Sequence, residues 1–66
     1  MRIIVNGQWQ DHPEATTVAG LLERLSLEPR RVAVELNQRL VRRADHAAAG
    51  LNENDKLEIV TLVGGG

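Results

Sequence analysis

The residues best equipped for chemistry close the chain: Leu62-Val63-Gly64-Gly65-Gly66, a strand-like apolar run that gives way to three glycines. Residues without a Cβ let an extended backbone pass through a channel too narrow for any side chain. They would deliver a terminal carboxylate on Gly66 to whatever sits at the far end. Such a carboxylate has a pKa of about 3.5, so at neutral pH it is ionised, a poor electrophile but a serviceable nucleophile toward an activated phosphate. On this reading the tail is a substrate: Gly64 and Gly65 thread, and Gly66 reacts. A glycine-rich end is also compatible with a frayed terminus. The elements before it must decide.

Other chemistries find little support. The sequence has no cysteine, which removes disulfides, thiolate metal sites and thiol nucleophiles. His12 and His46 are far apart with no close histidine partner, and they read as ordinary surface histidines rather than metal ligands. Asp45-His46 lacks a nucleophile on a sharp strand-to-helix turn, so no catalytic residue is assigned and the chain is expected not to be an enzyme. Lys56 is the only lysine. Eight Lys plus Arg against nine Asp plus Glu give a formal net charge of -1, which argues against nucleic acid as a partner. The apolar run Ile3-Ile4-Val5 is far too short for a signal-peptide core or a membrane span, so no membrane association and a cytoplasmic location are expected.

Sixty-six residues allow one domain with an economical core. Arg2 to Val5 reads as a strand, and Asn6-Gly7 as a type I′ hairpin turn into a second, half-exposed strand anchored by Trp9 and ended by Pro13. Thr16 or Thr17 can cap a helix whose Val18, Leu21, Leu22 and Leu25 line one face. Gly20 within it suggests close packing on a strand, and Pro29 should stop the element at Glu28. Val32, Val34 and Leu36 alternate as a strand with one buried face, Asn37-Gln38 turns, and Leu40-Val41 is a short strand fragment. Arg42 to Gly50 reads as a loop holding one helical turn. After the Leu51–Asp55 turn region, Lys56 to Val63 is the best strand of the chain.

One helix among several strands without βαβ alternation argues α+β. A right-handed crossover through the helix would bring the last strand parallel to the first, in the middle of a small mixed sheet covered on one face by the helix. That arrangement is the ubiquitin-like β-grasp, with a domain over residues 1–63 and a flexible tail over 64–66. Ile3-Ile4-Val5-Asn6-Gly7, Thr17-Val18-x-x-Leu21-Leu22, Val32-Ala33-Val34-Glu35-Leu36-Asn37, Asn54-Asp55 and Val63-Gly64-Gly65-Gly66 together resemble the thiamine-biosynthesis sulfur carrier family, ThiS, over essentially the whole chain. Members often carry an aromatic residue close before the final glycines, where this chain has Leu62. The resemblance implies that a ubiquitin-activating-type adenylyltransferase uses ATP and Mg to adenylate Gly66. A cysteine desulfurase system then supplies sulfur for a thiocarboxylate, and thiazole synthase accepts it. It implies no cofactor bound by the chain itself and a monomer when free. Carriers for molybdopterin or transfer-RNA thiolation, and a ubiquitin-like modifier, are the alternatives.

A partner must also grip the globular part. If Leu57 and Ile59 face the helix with Ile3 and Val5, alternation sends Ile4, Val60 and Leu62 to the opposite face. Together with Val63 they would form an exposed apolar patch beside the tail, with Arg42 and Arg43 as its polar rim. The alternative is that the 42–50 loop simply covers them.

Overall fold

In a computed structural model of the protein, residues 1–62 are described; Val63 and the glycines 64–66 lie outside the described residues, and with them the expected end of the last strand and the tail. Five strands, β1 (Arg2–Val5), β2 (Gln8–Asp11), β3 (Val32–Leu36), β4 (Arg39–Val41) and β5 (Lys56–Thr61), form one sheet in the order β2-β1-β5-β3-β4. Among the described residues one α-helix, α1, spans Val18–Arg24. β1 and β5 pair in parallel at the centre, and both hairpins are antiparallel. The fold is the ubiquitin-like β-grasp.

Both hairpin turns follow from their residues. Asn6 and Gly7 have φ of 49° and 81°, Asn37 and Gln38 have 51° and 70°, so each pair takes the double positive φ of a type I′ turn. The two-residue loops fix register. Ile3 and Val5 fall on the helix side with Leu57, Ile59, Val32 and Val34. There they enclose a core with Val18, Leu21, Leu22 and Leu51.

The same register corrects the reading of Trp9. It lies opposite Ile4 on the outer face, 51% exposed, with the Arg2 guanidinium 4.2 Å above its ring. It is no core anchor, because the turn places Gln8 and Gln10 opposite Val5 and Ile3.

The helix runs for about two turns and stops before Pro29 can end it. Thr17 Oγ1 accepts the Gly20 N–H at 3.1 Å, as a cap should. At the other end Ser26 (φ 59°) donates to Glu23 C=O and Leu27 to Leu22 C=O, the paired bonds of a Schellman stop. Pro29 instead opens a 3-10 turn at Pro29–Arg31 that leads into β3. Gly20 does not serve a close strand contact: a Cβ there would meet only Thr17 Oγ1 at 3.5 Å and Thr16 Cγ2 at 3.7 Å.

Both histidines prove to be buried. The 42–50 segment holds one 3-10 turn, Arg43–Asp45, then returns to the start of α1, where His46 and Ala49 carbonyls accept the Ala19 and Val18 N–H groups. These bonds satisfy first-turn donors and carry His46 inside, its Nε2 at 3.2 Å from Val41 C=O.

His12 sits between β2 and α1, its Nε2 2.8 Å from Gln10 Oε1 while Nδ1 accepts from Arg24 Nε at 3.0 Å. Burial, then the Arg24 guanidinium, lower its pKa below 6.5, with the Met1 ammonium adding and Asp11 opposing. The unfolded chain then binds the proton more readily, so stability is full above about pH 6.5 and is lost as pH falls toward the folded-state pKa. Urea midpoints should therefore decline between pH 7.5 and 5.5, and a His12→Gln variant should flatten that decline.

Candidate functional site around the end of the central strand

β5 leads toward the glycines expected to react, and its position is over-determined. On one side it pairs with β3 from Leu36↔Leu57 to Val32↔Thr61; on the other it pairs with β1 at Ile4↔Lys56 and Val5↔Leu57. Asn37 fastens its start, Oδ1 accepting from Lys56 N–H and Nδ2 donating to Asp55 Oδ1, each at 3.0 Å. Leu57 and Ile59 anchor it in the core. Leu62 N–H donates to Arg31 C=O at 2.8 Å, so the described part of the chain ends held beside the start of β3.

Alternation then sends Val60 and Leu62 outward, and each is 56% exposed. The 42–50 loop does not cover them, because its bonds are to the helix. Val60 lies opposite Ala33, and Leu40 of β4, 67% exposed, lies opposite Glu35 on the same face. Between these strands runs a shallow depression lined by Ala33, Glu35, Leu40, Lys56, Glu58 and Val60. Leu40 was legible as strand but not as part of this face. Its signal was the three-residue strand Arg39–Val41, whose centre must point away from core-packed Val41.

Ile4 is not brought to Val60. It pairs with Lys56, four residues back along β5, about 13 Å at the rise of an extended strand. It is half-buried and belongs with Trp9 and Arg2.

Arg42 follows β4 directly, and Arg42 Nε lies 3.2 Å from Asp45 Oδ2. Arg43 opens the 3-10 turn and is exposed. Arg31, held by Glu28 at 3.0 Å and bonded through its carbonyl to Leu62, is a basic neighbour of the strand end that spacing alone did not single out. The expected reacting residue Gly66, the threading residues Gly64 and Gly65, and Val63 lie outside the described residues. Among the described residues no three His, Cys, Asp or Glu side chains group to hold a metal ion, and no helix is long and apolar enough to cross a membrane.

The comparisons with known proteins agree on one family. The ThiS family model matches residues 2–66. A protein named thiazole synthase from Paramagnetospirillum magneticum is 39% identical over 66 residues, all of this chain but 20% of that protein. One of the same name from Magnetococcus marinus is 41% identical over an equal share. The chain thus spans about a fifth of the length of these relatives. A Pyropia yezoensis protein named ycf40, described as uncharacterized, is 39% identical over 97% of this chain and 90% of its own length. Among solved structures, the crystal structure of a thiamine biosynthesis protein (ThiS) from Geobacter metallireducens superposes with a TM-score of 0.85 at 32% identity, covering 100% of both chains.

Proposed function

The chain belongs to the ThiS family, and from that premise we propose that it is a sulfur carrier of thiamine biosynthesis whose Gly66 carboxylate is adenylated and then converted to a thiocarboxylate. The observation that carries the reading is the family match over residues 2–66, a span that includes all three terminal glycines. The chain is the substrate in this scheme and contributes no catalytic group.

The chemistry follows from the carboxylate. An oxygen of Gly66 attacks the α-phosphorus of Mg-bound ATP in a separate ubiquitin-activating-type adenylyltransferase. A P–O bond forms and pyrophosphate leaves. The acyl carbon, now bearing AMP as leaving group, is attacked by sulfur supplied through a cysteine desulfurase. A C–S bond replaces the C–O bond as AMP leaves. A thiol cleaves the S–S bond that persulfide sulfur brings with it, so that the thiocarboxylate remains and the thiol ends in a disulfide, and thiazole synthase takes the sulfur onward. The relatives named thiazole synthase, which contain a region like this chain, support that enzyme as acceptor.

Docking would use the outer end of the sheet. Val60, Leu62 and Leu40 offer desolvatable apolar surface, and Arg42 and Arg43, exposed just after β4, would supply its polar rim. Val63 adjoins them in sequence, and Ile4 supplies a second contact at the Trp9 end.

Intact-mass measurement after expression in a sulfur-replete host, followed by isolation of bound proteins, tests the scheme. Exchange of a terminal oxygen for sulfur adds about 16 Da. Expected is that gain together with copurified thiazole synthase. An unmodified mass alone would point to a passive binding module, an amide-linked product to a protein modifier, and copurified molybdopterin synthase or transfer-RNA thiolase to another sulfur pathway.

A further inference from the structure

Asn6 does more than turn the first hairpin. Its Oδ1 accepts from Ile59 N–H at 2.7 Å and its Nδ2 donates to Ile59 C=O at 3.0 Å, while its own N–H donates to Leu57 C=O at 2.9 Å. The side chain thus takes the place that one more residue of β1 would fill. Past it, β5 has no neighbour on that side among the described residues.

Backbone groups along a strand alternate between its two neighbours. Ile59 gives its pair to Asn6, and Leu62 N–H points to Arg31 on the β3 side. Thr61 therefore turns its N–H and C=O to the side that β1 has left. On that side β1 pairs with β5 only at Lys56 and Leu57, so neither group meets a partner strand among the described residues, and Thr61 is exposed. The result is a half-edge at Thr61, two residues past Ile59 and one before Leu62.

An in-line donor and acceptor on an extended strand select another extended backbone, since a helix satisfies its own groups and a flat apolar surface offers none. We propose that an extended segment of thiazole synthase adds to β5 here as a short strand, donating to Thr61 C=O and accepting from Thr61 N–H. The half-edge is continuous with the apolar Val60 and Leu62, so strand addition and burial of that surface would form one interface. The enzyme's identity rests on the carrier reading above and on the relatives of that name, in which a region like this chain shares one molecule with the rest of the enzyme. Covalent connection there keeps the two at high effective concentration, and a docking edge would serve the same end between separate chains.

The test compares Thr61→Pro with Thr61→Val in calorimetric titrations of the full chain with purified thiazole synthase. Proline deletes the N–H on the open side without removing a bond to β3, a placement that edge strands tolerate. Valine keeps the N–H. Expected is affinity about tenfold weaker for proline, the loss of one main-chain hydrogen bond, and unchanged for valine. In the unsubstituted complex, exchange of the Thr61 amide should slow at least about tenfold, a reading that stands even where Thr61→Pro fails to fold. A folded Thr61→Pro chain that binds normally, or an unprotected Thr61 amide in the complex, overturns strand addition while leaving the carrier role intact. Failure of the unsubstituted chain to bind thiazole synthase overturns both.

Discussion

Gly65→Val is expected to abolish thiocarboxylate formation on Gly66 while leaving the domain folded. A β-branched side chain one residue from the reacting carboxylate must either meet the wall of the partner's channel or push the backbone aside. A displacement of about 1 Å at the reacting atoms is enough to cost about a hundredfold in rate, and the two effects together should bring adenylation below detection. Pyrophosphate release by the adenylating enzyme measures the first step, and intact mass measures the product. Gly65→Ala should fall between, because one methyl group displaces less than an isopropyl. Thermal unfolding should be unchanged, since β5 ends at Thr61 and the core that holds it lies entirely before the substitution. Normal turnover of the valine variant would show that the tail reaches its partner by an open surface rather than a narrow passage.

How far the sequence carries this picture differs from residue to residue. Asn6-Gly7 and Asn37-Gln38 were legible because positive φ is a local property of residue type, and both turns then set the register of a hairpin. The outward direction of Val60 and Leu62 was legible because period-two alternation needs only one inward residue, Leu57, to be known. Alternation says which face, however, and not how far along it: that Ile4 sits beside Lys56 rather than Val60 depends on the parallel offset between β1 and β5. The helix stop was missed because Ser26 takes a left-handed φ usually given to glycine. The burial of His46 depends on Ala49 and Gly50 returning to Thr17 and Val18, a long-range closure with no local signature. The Asn6 clamp on Ile59 is of the same kind, joining residues 53 apart in sequence.

Leu57→Ala is expected to remove function by a different route, through the fold. Leu57 is fully buried in the central strand, registered with Val5 on one side and Leu36 on the other. Truncating a buried leucine costs about 2–5 kcal/mol, because the surrounding side chains close the cavity only in part. A domain of 66 residues has about 3–10 kcal/mol of stability to lose. The thermal midpoint should drop by about 15 °C, as each kcal/mol shifts a domain of this size by about 4–8 °C. Sulfur loading at 37 °C should fall with the folded fraction, although the tail is untouched. An osmolyte such as trimethylamine N-oxide separates this loss from that of Gly65→Val, since it favours burial over exposure and leaves channel width alone. Loading of the Leu57→Ala chain should recover in parallel with its circular dichroism, whereas the Gly65→Val chain, already folded, should gain nothing. If the refolded Leu57→Ala chain stayed unloaded, β5 would have to act on the tail through more than its own stability, by setting the direction in which Leu62 leaves the sheet.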